Sequence, residues 1–285
     1  MTNINDLETI EKPTWCPGCG NYNILISLKN AISNLKLDPS NVTLFTGIGC
    51  SGKDCQWIRL YGFHTLHGRP LAVAEGAKFA NNRLTVIAAG GDGDSYGIGM
   101  GHFIHAMRRN IDITYLVHDN QVYGLTTGQA SPTSEKGFIT KSTPFGVIDE
   151  PVNPLTLALS GGATYVARGF AGDIPHLTKL IEGAIAHKGF AIVDILQPCV
   201  TFNYLNTFEW YKQRVYKLEE QNHDPKDKEK AYVKAQEWGK KIPIGLFYKI
   251  DKPTIEDQLP AIKEKPLVEH DIRNIDISKT IKEFI

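Results

Sequence analysis

The chain has 285 residues, 42% of them apolar, with 31 basic side chains against 31 acidic ones. That length can bury a substantial core, as one large domain with an extension or as two domains. The balanced charge supplies no basic field for nucleic acid and no acidic tail. No stretch approaches the ~20 continuous apolar residues of a membrane span. The opening "MTNINDLETIEKPTW" has no basic region followed by an apolar run, so a cytoplasmic protein without a secretory leader is expected. In that reducing compartment the 5 cysteines are expected to be ligands or catalytic groups rather than disulfides.

Elements follow in alternation. Between Asn21 and Leu37, apolar residues at Ile24, Leu25, Leu28, Ile32 and Leu35 mark one helical face, which "DPS" ends. "VTLFTGIG" reads as strand, "RPLAVAEGAKFAN" as helix, "RLTVIAAG" as strand, "GIGMGHFIHAMRRN" as helix and "IDITYLVHD" as strand. Beyond a polar loop come a helix near "NPLTLALS", a strand "ATYVAR", a helix "DIPHLTKLIEGAIAHK" and a strand "FAIVDILQP". Strands this continuously apolar are covered by helices on both faces, which predicts a doubly wound parallel α/β domain over residues 1–200. Residues 201–285 change texture to charge and aromatics, with one late strand in "IPIGLFYKI", and read as an extension packing on the core and a partner. The polar tail from about Pro260 is expected to wrap a neighbour or fray.

Two glycine-rich turns carry the chemistry. "GDGDSYGIGMG" (Gly91 to Gly101) and "HDNQVYGLTTGQ" both follow strands, at the carboxyl edge where open α/β sheets bind ligands. Glycines there let the backbone approach a phosphate, and a helix starting near Gly97 would offer N–H groups. Asp92 would repel a diphosphate unless a divalent cation lay between them. The amide oxygen of Asn120 and a carbonyl near Val122 complete a set suited to magnesium. The dinucleotide fingerprint GxGxxG fits less well, since the glycine spacing is absent. The cysteines in "WCPGCGNYN", with Cys50, Cys55 and Cys199, leave zinc, an iron–sulfur cluster or a redox dithiol open. Zinc would pair Cys16 and Cys19 with Cys50 and Cys55.

From "WCPGCGN" through "GIGCSGK", "GFHTLHGR", "GDGDSYGIGMGHFIHAMRRNIDITYLVHDNQVYGLTTGQASPT" and "QPC" to "NTFEWYK", the chain resembles the β subunits of 2-oxoacid:ferredoxin oxidoreductases. The resemblance implies thiamine diphosphate and Mg2+, with Asp92, Asn120 and Val122 around the metal, and a 4Fe-4S cluster on Cys16, Cys19, Cys50 and Cys199. It implies a cofactor site formed by Ile48, Gly49, Cys50, Ser51, His64, Gly91, Gly93, Asp94, Asn120, Gly124 and Leu125. Lys53 would meet the substrate carboxylate, His64 would lie near the cofactor and Leu125 beside the thiazolium. Cys55 is left as an ordinary thiol.

The implied reaction is decarboxylation of a 2-oxoacid, with electrons passing through the cluster to ferredoxin and the acyl group to coenzyme A. The activating glutamate is expected from an α subunit, in a heterodimer or a dimer of heterodimers, because this chain is only the pyrophosphate half. Glu75 is expected on a helix surface, His67 in either a structural or a catalytic role, and His102 and His105 as packing or phosphate-edge residues rather than a metal pair. Relatives carry a lysine where Thr127 stands here. "GCSGK" and "GLTTGQ" point to broad specificity covering 2-oxoglutarate and pyruvate. The competing readings are a non-redox thiamine-dependent decarboxylase or synthase subunit, and a zinc-stabilised scaffold.

Overall fold

A computed structural model describes residues 2–273 and 275–285. The apolar runs form one eight-stranded sheet: β1 (Val42–Thr46), β2 (Tyr61–His64), β3 (Thr85–Gly91), β4 (Thr114–Asp119), β5 (Tyr165–Phe170), β6 (Ala191–Leu196), β7 (Val215–Lys217) and β8 (Ile242–Lys249). Its order is β2-β1-β3-β4-β6-β5-β8-β7. All pairings are parallel except β5 with β8, where the chain returns antiparallel and shifts register between Val166 and Ala167. Successive side chains point to opposite faces. Along β3, Ile87 and Ala89 therefore enter one core, and Val86 and Ala88 the other.

The helices in chain order are α1 (Asn21–Asn34), α2 (Asp54–Trp57), α3 (Pro70–Ala80), α4 (Met100–Arg109), α5 (Pro154–Gly161), α6 (Ile174–Ile185), α7 (Phe208–Lys212) and α8 (Lys228–Ala235). Apolar stripes of α1 and α6 fill one core, and those of α3, α4, α5 and α8 the other. Phe103 is fully buried against Tyr96, Tyr115 and Phe190, with ring centroids 5.6, 6.1 and 6.1 Å away. Truncating such a side chain costs about 3–5 kcal/mol. Side-chain caps start several helices: Asn153 accepts from Thr156 N, Asp173 from His176 N and Thr207 from Trp210 N. No side chain caps α1, which begins directly from the cysteine loop at Gly20.

Three expectations change. The winding after the GDG turn starts at Gly93, as a wide turn over Gly93–Ile98 broken at Gly97 (φ −88°, ψ −109°), and regular helix begins only at Met100. Strands β2 and β7 had no sequence signal: they are short sheet-edge strands, so the continuous apolar run imposed by two-sided burial is missing. The sheet also runs through the expected boundary near residue 200, since β8 pairs with β5 and α8 packs beside α5. In the polar tail Ile262 is buried, while residues from 267 onward are largely exposed. Among the described residues no helix is long and apolar enough to cross a membrane.

Candidate active site at the carboxyl edge of the sheet

Neighbouring strands β2, β1, β3 and β4 end side by side, and the loops that follow them enclose a cavity of about 270 Å³. Ile48, Gly49, Cys50, Ser51, Gly91, Asp92, Gly93, Asp94, Asn120, Val122, Gly124 and Leu125 all line it. His64 does not. It sits exposed at the end of edge strand β2, with its Nε2 3.0 Å from where a Cβ on Gly52 would stand. His67, three residues on, lines the cavity instead. Lys53 is half-buried outside the lining, where its charge lowers the Cys50 thiol.

Asp94 is a clamp rather than a wall. Its Oδ1 accepts from Ile48 N at 3.0 Å and Gly68 N at 2.8 Å and lies 2.7 Å from His67 Nδ1, so one carboxylate joins three loops. Its Oδ2 is buried without a hydrogen-bond partner and presses against Gly47, where a Cβ would stand 1.8 Å away. Only glycine allows that approach. By accepting from Nδ1, Asp94 fixes the His67 tautomer and turns the ring beside Tyr123.

Asp92 is the isolated charge. Ser131 and Thr133 hydroxyls donate to its Oδ2 at 2.5 and 2.6 Å, and Thr133 Oγ1 also lies 2.8 Å from Asp119 Oδ1. One hydroxyl proton cannot serve two carboxylates at once. Burial pushes Asp92 up to about 6, against those hydroxyls, and burial with the nearby Asp194 and Asp92 charges pushes Asp119 well above the usual carboxylate range. A cation beside Asp92 would relieve this. Asn120 is oriented for such an ion: its Nδ2 donates to Gln197 Oε1 at 3.0 Å, and its Oδ1 accepts from Val122 N at 3.1 Å with a second lone pair to spare. The Val122 carbonyl accepts no backbone hydrogen bond among the described residues. Gln121 between them holds a left-handed φ of 57°, which turns Asn120 and Val122 into one loop.

Next to this turn lies a basin of thiols. A Cβ on Gly124 would stand 3.7 Å from Cys199 Sγ and 3.8 Å from Cys50 Sγ. Burial pushes Cys19 up to about 12, with smaller upward contributions from Cys199, Cys50 and Cys16, while the Asn21 backbone N–H works the other way. Burial and Cys199 likewise raise Cys50. Cys16 is exposed. Cys55 stands outside this group, its sulfur 3.1 Å from Thr46 Oγ1 and 3.5 Å from the Gly52 carbonyl. Among the described residues, no three His, Cys, Asp or Glu side chains close around a single ion. The zinc set would need Cys55, whose sulfur is engaged instead with Thr46 and the Gly52 carbonyl. Thiols spread around a common space suit a larger soft group.

Several residues with roles here were not singled out from sequence. Gln197 touches both halves, its Oε1 on Asn120 and its Nε2 3.4 Å from Cys19 Sγ. Trp15 Nε1 donates to the Cys50 carbonyl at 2.8 Å, and Tyr123 covers Gly93. "QPC" and "ASPT" had these positions in view, but a polar residue's partner is not written in its neighbours. Glu75 is not a helix-surface residue: it is 7% exposed and accepts from Arg109 Nη1 at 2.6 Å, because α3 packs on α4. His102 and His105 lie on α4, away from the cavity lining.

Residues 47–195 match the family described as thiamine pyrophosphate enzyme, C-terminal TPP binding domain, and residues 199–264 match the family of the C-terminal part of the pyruvate ferredoxin oxidoreductase beta chain. The chain is 49% identical over 280 residues to 2-oxoacid:ferredoxin oxidoreductase subunit beta of Saccharolobus solfataricus, covering 92% of each. It is 46% identical over 198 residues to the Mycobacterium tuberculosis 2-oxoglutarate oxidoreductase subunit KorB, covering 70% of this chain and 53% of that one. A solved 2-oxoglutarate:ferredoxin oxidoreductase from Magnetococcus marinus, with 2-oxoglutarate, coenzyme A and succinyl-CoA bound, superposes with a TM-score of 0.91. Identity to it is 41%, over 99% of this chain and 96% of that one. With an acidic glycine turn and a thiol basin on one sheet edge and relatives at this identity and coverage, the chain belongs to the β-subunit family of 2-oxoacid:ferredoxin oxidoreductases.

Proposed function

We propose that this chain, with an α subunit, oxidatively decarboxylates 2-oxoacids, 2-oxoglutarate among them, to acyl-coenzyme A and passes the electrons to a ferredoxin in the cytoplasm. One observation carries the reading: Cys50 lines the cofactor cavity and also belongs to the thiol basin, so the two redox partners would be neighbours. Thiamine diphosphate supplies the carbanion chemistry that releases carbon dioxide, and a four-iron cluster supplies one-electron acceptance.

This chain's residues bind and orient. Asp92, the Asn120 amide oxygen and the Val122 carbonyl would hold Mg2+, and Gly91 and Gly93 admit the diphosphate. Asp94 holds the loops at Ile48 and Gly68 against each other, and His67 faces the cavity from Asp94. Cys16, Cys19, Cys50 and Cys199 would hold the cluster. Ile48 and Leu125, 39% and 48% exposed, form an apolar mouth that keeps water from the reacting carbon once covered. Around it Tyr61, Phe63, Leu66 and Ile98 are exposed, which supports an α subunit seated on this face, bringing the carboxylate that activates the aminopyrimidine. Lys53 is assigned to the substrate carboxylate through its place beside the Cys50 loop.

The test is anaerobic co-purification with the α subunit, followed by 2-oxoacid- and coenzyme A-dependent reduction of a low-potential dye. Turnover with 2-oxoglutarate is expected. A complex that binds thiamine diphosphate and Mg2+ but contains no iron would falsify this reading in favour of a non-redox thiamine enzyme.

A further inference from the structure

Three buried polar residues without a role so far meet behind the thiol basin. Asn21 opens α1 just after Cys19, Asp54 opens α2 just after Cys50 and Lys53, and His118 lies on β4 ahead of Asn120. Their exposures are 0%, 1% and 1%. His118 Nδ1 lies 2.8 Å from Asn21 Oδ1, and Nε2 lies 3.1 Å from Asp54 Oδ2, at ion-pair distance but out of hydrogen-bond line.

Asn21 Nδ2, Asp54 Oδ1 and His118 Nε2 all lack a hydrogen bond. Rotating the Asn21 amide by half a turn leaves its heavy-atom outline in place. Nδ2 then donates to His118 Nδ1, the ring proton moves to Nε2, and that N–H sits 3.1 Å from Asp54 Oδ2 as an electrostatic contact rather than a linear hydrogen bond. The imidazole thereby links an amide donor on one cysteine loop to a carboxylate acceptor on the other. A second tether runs alongside: Trp15 stacks on Trp57 at 5.7 Å and donates to the Cys50 carbonyl.

We propose that His118 is a positioning residue which, through Asn21 and Asp54, fixes the loop of Cys16 and Cys19 against the loop of Cys50 and so sets how firmly an iron–sulfur cluster is held. The inference rests on the cluster assignment above. Burying an imidazole at the end of a strand whose preceding residues, Tyr115, Leu116 and Val117, are all packed apolar is costly without such a tie. The partners of metal ligands govern retention: losing one costs a metal site about 10–100-fold in affinity.

The experiment uses the anaerobic complex with the α subunit, as wild type and as His118→Leu, His118→Gln and Asp54→Asn. Iron captured by a chelator and loss of visible absorbance are followed over time, with circular dichroism and bound thiamine diphosphate measured in parallel. His118→Leu is expected to release iron at least about tenfold faster. His118→Gln, whose amide offers both a donor and an acceptor, should recover most of the retention, and Asp54→Asn should fall between. Secondary structure and thiamine diphosphate content should stay at wild-type levels. Wild-type iron release in both His118→Leu and Asp54→Asn overturns the proposal, as does iron loss that only tracks loss of secondary structure. If His118→Leu does not assemble, the isosteric Asp54→Asn decides alone. A wild-type complex devoid of iron overturns the cluster assignment itself, a result separable from any difference among variants.

Discussion

The diphosphate turn and the thiol basin share one sheet edge but are held in opposite ways. In the turn the side chains are already held by protein partners: Asp94 accepts two backbone N–H bonds and contacts His67, Asp92 accepts two hydroxyls, and the Asn120 amide is locked by Gln197. In the basin the loops are tied, by Trp15 and by the Asn21, His118 and Asp54 group, but the sulfurs themselves are not. Its thiols touch little beyond Gln197, and burial raises Cys19 and Cys50 above the usual thiol range. A small anion with its metal is gripped by groups set in advance. Thiols, by contrast, give up their protons as a metal takes the protons' place. One half is preorganised by the fold, and the other is completed by what fills it.

That contrast can be broken one half at a time. Asp92→Ala should have the largest effect, lowering Mg2+-dependent thiamine diphosphate affinity by about 100-fold or more, beyond what loss of an outer-shell partner costs. Calorimetric titration measures this, and iron content should stay unchanged. Cys199→Ser should remove the brown chromophore while leaving thiamine diphosphate affinity alone, and Cys55→Ser should keep both. Visible spectra with iron analysis check this pair, and a bleached Cys55→Ser would put the fifth thiol in the basin.

Gln197 hydrogen-bonds into both halves, so Gln197→Leu should weaken both, each by about tenfold. Loss in one half only would show the halves to be independent. The smallest effect lies outside the site. Arg109→Met strands the buried Glu75 carboxylate and should cost about 1–3 kcal/mol, read from denaturant unfolding. Burial already raises Glu75 above its unfolded value, so its ionisation works against the fold: that stability is present below the unfolded value and lost as pH rises through the folded one. Arg109→Met should therefore be more damaging at pH 7 than at pH 4, and an equal cost at both would remove Glu75 from the account.

Much of the fold was legible. Strands β3, β4 and β6 and helices α1 and α6 announced themselves because burial on both sheet faces, or on one helical face, writes an apolar period into the chain. Edge strands β2 and β7 escape that pressure and left no period to read. In the site, Gly91, Asp92 and Gly93 were legible as a cavity-lining turn because a tight turn after a strand restricts residue type at those positions. Glu75 was misplaced because its helix period is compatible with either a surface or a helix–helix contact, and only Arg109 on α4 distinguishes them.

By itself, the sequence determined the α/β alternation, the acidic glycine turn and the supply of thiols, all properties of short stretches whose neighbours along the chain decide their conformation. Only the tertiary structure decided that Asp94 clamps loops, that His67 rather than His64 faces the cavity, that Thr133 is shared by two carboxylates and that Gln197 spans both halves. These contacts join residues far apart in sequence, and they exist because parallel pairing sets the ends of β1, β3, β4 and β6 side by side. A side chain's hydrogen-bond partner is chosen by that adjacency, which no local pattern encodes.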